Sequence, residues 1–98
     1  MILEHALLRV AGEAAANFEA SMARALPIIE SAPGCHGGEV RRQIEDPEVY
    51  LLLVRWESVA AHAAFRESDL YESWKTLTHP WYVEVPVVTH FDTAVERP

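Results

Sequence analysis

The chain has 98 residues, half of them hydrophobic, and 15 acidic residues outnumber 8 Lys and Arg, for a formal charge of −7. This charge repels phosphate backbones and anionic lipids, and the basic residues form no stripe, so we expect no nucleic acid and no membrane as a partner. No apolar run approaches the roughly 20 residues that span a bilayer and no export signal is visible, so we expect one small cytoplasmic domain over 1–98.

The first predicted elements are a strand over residues 2–10 and a helix from Glu13 to about Ser31. In the strand segment, polar residues do not recur at helical spacing. In the helix segment, a stripe at steps of four, four and three is formed by Phe18, Met22, Leu26 and Ile29. Pro27 removes a backbone donor inside this stripe, which predicts a kink or an irregular last turn.

The middle of the chain is predicted to form two strands, 39–44 and 49–56, joined by a turn at Asp46-Pro47. Both alternating faces of the second strand are largely apolar, so both faces of its sheet must be covered. Ser58 and Ser68 are the expected N-caps of two short helices that follow.

A last strand over 85–93, interrupted at Pro86, completes the order β-α-β-β-α-(α)-β. This order predicts an α+β fold of the ferredoxin-like, split βαβ type, with a four-stranded antiparallel sheet and helices on one face. A domain of this size buries only about 60–70% of its unfolded surface, so the apolar surplus must enter an interface or a pocket. Packing two such sheets face to face in a homodimer would cover the other face.

The reactive side chains show no motif of metal or covalent chemistry. The single Cys35 permits neither an internal disulfide nor a multi-thiolate metal site. The five histidines lack the close spacing of paired metal ligands, and no Gly-x-Ser-x-Gly motif or Gly-rich phosphate loop is present. We therefore predict no metal site and no covalent intermediate.

Several short motifs follow one another in a specific order. They are Pro33-Gly34-Cys35, the strand Tyr50 to Trp56, Trp56-Glu57-Ser58 followed by Ala61-His62, Phe65 with Ser68, His79-Pro80-Trp81 and His90-Phe91. With this order and spacing the chain resembles the antibiotic biosynthesis monooxygenase superfamily. The resemblance implies a homodimer of ferredoxin-like domains that together form a dimeric α/β barrel.

Departures from two branches of the superfamily narrow what the resemblance implies. Relative to the quinone-forming enzymes of polyketide pathways, the motif Trp is present as Trp56, while an Asn and a Tyr are replaced by Leu52 and His62. The haem-degrading members need an Asn, a Trp and a His at positions that here hold His5, Phe65 and Lys75. The missing ligand His argues against haem.

The resemblance therefore implies a cofactor-independent monooxygenase, without metal, haem or flavin, that oxidises a small aromatic or enolic metabolite. The negative charge favours a neutral substrate. Such chemistry needs a base, donors for an oxyanion and a dry cavity. His5 and His62 are the candidate catalytic bases, because the ordinary pKa of histidine lies near working pH. The expected substrate-binding residues are Leu52, Trp56, Phe65, Tyr71 and Trp74.

Other interpretations of the same residues stay open. The cavity could belong to a non-catalytic, dimeric small-ligand-binding or accessory domain, or to an isomerase or cyclase of an enolisable substrate. The histidines could be ordinary hydrogen-bonded side chains and the aromatic residues plain core. The segment 79–82 could be a lid or a dimer contact, and His90 could face the partner chain.

Overall fold

The computed structural model describes residues 1–98. Its strands and helices are β1 Ile2–Arg9, α1 Ala15–Glu30, β2 Cys35–Arg42, β3 Val49–Trp56, α2 Val59–Arg66, α3 Asp69–Thr78 and β4 Val88–Phe91. The strands form one four-stranded antiparallel sheet in the order β2-β3-β1-β4. The α+β, ferredoxin-like fold is thus confirmed. No helix is long and apolar enough to cross a membrane.

Alternation along the two central strands separates the faces of the sheet. In β3 the buried positions are Tyr50, Leu52, Val54 and Trp56, and the residues between them are only partly covered or exposed. We call the side that holds these buried positions the helix face and the opposite side the open face. The hydrophobic core lies between the helix face and the three helices.

Helix α1 packs on the sheet through a stripe that differs at one position from the predicted stripe. Its buried residues are Phe18, Met22, Ala25 and Ile29. Ala25 replaces the predicted Leu26, which is half-buried and packs beside Gly38 of β2. The helix continues through Pro27 to Glu30, and the N–H of Ser31 is shared between the carbonyls of Pro27 and Ile28, both at 3.2 Å. Pro27 therefore does not interrupt the helix, and the shared N–H of Ser31 is a common arrangement at helix ends.

Two strand boundaries differ from the predicted ones. Strand β2 starts at Cys35, ahead of the predicted 39–44, because its glycines admit an irregularity in the register. Gly37 has a φ of +122°, which a residue with a side chain rarely adopts. Strand β4 is only Val88–Phe91, because the preceding residues, with Pro86, cover the end of the sheet instead of pairing.

Of the two predicted N-caps of the last helices, one is confirmed and the other is wrong. The Ser58 hydroxyl accepts a hydrogen bond from the Ala61 N–H at 3.1 Å and caps α2. Ser68 occupies the N-cap position of α3 but makes no side-chain cap; its hydroxyl donates to the Phe65 carbonyl at 2.6 Å.

Candidate functional site

A cavity of about 160 Å³ lies between the helix face and the helices α2 and α3. The segment between α3 and β4 closes one side through Val85 and Pro86. Most of the lining is apolar, and the polar side chains in it are Glu4, His62, Arg66, Tyr71, His79 and Tyr82. An apolar cavity with a few convergent polar groups is the usual form of a small-molecule site.

The structure brings most of the predicted site residues to this cavity. Its lining contains Leu52, His62, Phe65, Tyr71 and Trp74. Trp56 lies one layer deeper: it is fully buried, and its ring stacks on that of His62 with centroids 5.0 Å apart and an angle of 18° between the ring planes. Trp56 therefore supports His62 from behind and does not line the cavity.

His5, the other predicted base, lies elsewhere. It belongs to the open face of β1, where its ring meets the edge of Phe91 at 5.5 Å between centroids. Successive side chains of a strand point to opposite faces, so the neighbouring Glu4 faces the cavity and His5 cannot. The expectation of a site that contains both His5 and His62 within one chain is therefore corrected: the sheet separates them.

A polar cluster surrounds the inner end of the cavity, on a face that is otherwise apolar. The Glu4 Oε1 atom accepts a hydrogen bond from Trp56 Nε1 at 2.9 Å and lies 3.3 Å from His62 Nε2. On its other side, His62 Nδ1 lies 2.8 Å from His90 Nε2. Glu4 and His62 are buried, whereas His90 is exposed on β4. The four side chains form a continuous chain of contacts from the core to the surface.

Burial shifts the protonation of both inner groups toward the neutral form. Burial raises the pKa of Glu4 above its ordinary 4.5, and the Trp56 hydrogen bond and the Arg66 charge oppose this only in part. Burial, followed by the nearby His90 and Arg66, lowers the pKa of His62 to about 4. His62 is therefore a neutral imidazole near pH 7, and Glu4 holds a proton more tightly than an exposed carboxyl.

A second polar group lies at the side of the cavity formed by α3 and the segment after it. The His79 ring packs against Tyr71 and Tyr82, with centroid distances of 5.9 and 5.2 Å. Burial lowers the pKa of His79 and raises the pKa of Tyr82 to about 12. The Tyr82 hydroxyl therefore keeps its proton and can donate a hydrogen bond to an oxyanion in the cavity.

Two members of the cluster, Glu4 and His90, were not among the predicted site residues. Glu4 had a signal in the sequence, because it is the only charged residue among the alternate positions of β1 that otherwise hold Ala6 and Leu8. His90 had none, because its position depends on the pairing of β1 with β4, which sets it opposite Glu4. No three His, Cys, Asp or Glu side chains gather in a geometry that could hold a metal ion.

Comparison with known proteins agrees with this architecture. YczJ, an uncharacterized protein of Bacillus subtilis strain 168, is 36% identical over 92 residues, which cover 93% of this chain and 97% of YczJ. A proposed antibiotic biosynthesis monooxygenase from Bordetella bronchiseptica has a crystal structure that matches with a TM-score of 0.90 at 38% identity, covering 96% of this chain and 97% of that one.

A variant of SnoaB, a cofactor-independent oxygenase from Streptomyces nogalater, shares the fold with a TM-score of 0.83 at 18% identity, covering 99% of this chain and 96% of SnoaB. The sequence model of the antibiotic biosynthesis monooxygenase family matches residues 1–77. The chain belongs to the antibiotic biosynthesis monooxygenase family.

Proposed function

We propose that the protein is a cofactor-independent monooxygenase that oxidises a small, neutral, electron-rich phenol or enol in the cavity beside Glu4. The observation that carries the proposal is the buried carboxylate and imidazole pair, Glu4 and His62, in the wall of an aromatic cavity. Such a pair can accept a proton where water is scarce. The Tyr82 hydroxyl and the Arg66 guanidinium supply hydrogen-bond donors and charge for the oxyanion that forms.

The volume of the cavity sets the size of the substrate. An engineered apolar cavity of about 150 Å³ in another protein binds benzene, and the cavity here measures about 160 Å³. It therefore suits one aromatic ring with small substituents, and a tricyclic anthrone is too large for it. Leu52, Phe65 and Trp74 supply flat or apolar surface against such a ring.

The proposed reaction takes a phenol with a free para C–H to a para-quinone, with one dioxygen consumed and one water released. The base removes the hydroxyl proton, and the phenolate passes one electron to dioxygen. The resulting phenoxyl radical and superoxide form a C–O bond at the para carbon. The peroxide then takes up a proton, and its O–O bond breaks as the para proton leaves, which forms the second carbonyl and water. The substrate supplies all the electrons.

We further propose that the protein acts as a homodimer through the open face of its sheet. This face carries large apolar side chains that stay exposed in one chain: Leu3, Leu7 and Phe91 are 39%, 50% and 53% exposed. Leu3 lies opposite Phe91 on β4, and Leu7 lies on the same face of β1, opposite Leu51 of β3. A second copy of the same sheet would cover this face, which the family resemblance also implies.

The experiment is oxygen uptake by the purified protein with a series of single-ring phenols and one anthrone, together with quinone absorbance. We expect one quinone per dioxygen without hydrogen peroxide for a single-ring substrate, and no uptake with the anthrone. His62→Gln should lower kcat/KM by about 100-fold or more, because it breaks the pair that accepts the proton. Exposed His36, in the matched variant His36→Gln, is the control. No uptake with any phenol would contradict the proposal.

A second candidate function is ligand binding without chemistry. One observation favours it: every enclosed side-chain nitrogen and oxygen has a hydrogen-bond partner. This complete pairing is also what a purely structural polar cluster shows. In that case the same phenols would raise the melting temperature of the protein while oxygen uptake stayed at the buffer rate.

A further inference from the structure

We propose that Glu4 is the catalytic base of this cavity, and that His62 and His90 connect its carboxyl group to solvent as a path for the proton. The inference rests on the proposed function and deepens it. It names the atom that takes the substrate proton and the path by which this atom exchanges protons with solvent, in a cavity that the helices and the segment 83–87 cover.

The first step concerns the two carboxylate oxygens of Glu4. Oε1 is occupied by the Trp56 N–H at 2.9 Å and by His62 Nε2 at 3.3 Å. Every fully enclosed side-chain oxygen in the structure has a hydrogen-bond partner. Oε2 makes no hydrogen bond, so it is not fully enclosed and borders free space. Because Glu4 lines the cavity and is only 4% exposed, that space is the cavity. A phenol there would meet Oε2.

The second step concerns His62, which lies between Glu4 and His90. Its Nε2 atom lies 3.3 Å from Glu4 Oε1, and its Nδ1 atom lies 2.8 Å from His90 Nε2. The ring is also held from one side by its stack on Trp56. His62 is therefore placed to pass a proton between the Glu4 carboxyl group and His90.

The third step follows the proton outward. A neutral imidazole carries one proton and one lone pair, so it can accept a proton at one nitrogen while it releases another from the opposite nitrogen. When the Glu4 carboxyl gives its proton to His62 Nε2, His62 Nδ1 can give its own to His90 Nε2. His90 is exposed and exchanges its proton with water. One proton can thus move from the cavity to solvent along two contacts of 3.3 and 2.8 Å, and one returns along them when the peroxide takes up a proton, so that the complete reaction releases none.

The charges of the other groups that face Glu4 are compatible with its role as a base. Arg66 of α2 supplies positive charge that keeps the carboxylate accessible, while burial raises its pKa toward that of a useful base. Across the cavity, Tyr71 and Tyr82 are hydroxyl groups, and His79 has a pKa that burial lowers. None of them brings a second negative charge to the cavity near pH 7.

The first test needs no turnover. We would titrate 4-nitrophenol bound to the protein and follow its phenolate absorbance against pH. If the bound phenol and Glu4 share one proton, they titrate together, and the phenolate absorbance of the wild type should rise in two steps. The second of these steps should lie at higher pH than the single step of Glu4→Gln. The control Glu45→Gln, at an exposed position without side-chain contacts, should match the wild type.

The outcomes of this titration separate the two proposals. If 4-nitrophenol binds and titrates in one identical step in the wild type and in Glu4→Gln, Glu4 is not the base, while the proposed function survives. If it does not bind, both proposals fail. Should Glu4→Gln not fold, the wild-type curve decides alone, because a single step overturns the role of Glu4.

The second test concerns the path. With a turned-over phenol, His90→Phe should lower kcat at least tenfold with KM nearly unchanged, and imidazole added to the buffer should restore part of the rate. His36→Phe, at an exposed histidine that faces Glu57, should do neither. Full activity of His90→Phe in weak buffer, or a loss that imidazole does not restore, would overturn the path. Glu4→Gln should lose at least 100-fold in kcat/KM, without rescue.

Discussion

The two faces of the sheet are built from the same strands and both carry large apolar residues, yet only one of them is covered by helices. On β1, Leu8 of the helix face is 1% exposed, whereas its neighbour Leu7 of the open face is 50% exposed. The helix face also contains the buried Glu4, and the open face contains His5. Alternation along one strand therefore separates the proposed site from the proposed association surface.

The difference teaches where a polar group has a functional meaning. His5 lies on a partly open surface, where water can reach its ring. Glu4 lies where burial disfavours its charge, and the Trp56 hydrogen bond and the Arg66 charge offset that penalty only in part. A buried ionisable group beside a cavity is thus the stronger sign of a site.

The largest expected effect distinguishes the faces by packing. Leu8→Ala should lower the free energy of unfolding by about 2–5 kcal/mol, because it removes a fully buried side chain. Leu7→Ala should change the free energy of unfolding of the single chain by less than about 1 kcal/mol. Urea unfolding of both variants at low protein concentration measures the two changes. Equal losses would contradict the assignment of the faces.

The next prediction concerns pH and the buried histidine. His62 has a pKa of about 4 in the folded chain against an ordinary 6.5, so the unfolded chain binds more protons between these values. Its contribution to stability should therefore fall by about 3 kcal/mol as the pH falls from 6.5 to 4.

Glu4 acts in the opposite sense. Its raised pKa means that the folded chain binds more protons above pH 4.5, so its contribution falls as pH rises from there. Urea unfolding of Glu4→Gln across pH 4–7 isolates the contribution of His62. Over the same range, the free energy of unfolding of the wild type should rise less steeply with pH. Parallel curves for the two proteins would contradict a raised pKa of the buried Glu4.

A smaller effect tests the open face. Leu7→Asp places a charge among the apolar residues of the open face and should weaken the proposed dimer at least tenfold, about 1.4 kcal/mol, while the secondary structure is kept. Analytical ultracentrifugation of the wild type and the variant over a range of concentrations gives the dissociation constants. A wild type that sediments as a monomer at all concentrations would refute the proposed dimer.

The smallest effect sharpens the position of His5. His5→Gln should change the free energy of unfolding by no more than about 0.5 kcal/mol and should leave the stabilisation by a bound phenol unchanged. Thermal melts with and without 4-nitrophenol measure both quantities. A lost ligand shift would show that His5 does reach the cavity, through the partner chain.

Much of this protein was determined by its sequence alone. The apolar surplus in 98 residues, the alternation of Val49–Trp56 and the stripe of α1 determine a sheet with helices on one face and an apolar open face. These are local periodicities, and each element carries its own. The family resemblance and the side-chain chemistry suggested Leu52, His62, Phe65, Tyr71 and Trp74 as site residues, and all five line one cavity.

Only the tertiary structure decided which polar groups meet. His5 is excluded because β1 turns it to the open face, and Glu4 gains His90 only because β4 pairs with β1 in a register that sets the two opposite each other. His62 completes the cluster from α2, 58 positions along the chain from Glu4 and 28 before His90. Such contacts depend on long-range pairing and packing, which no local pattern in the sequence encodes.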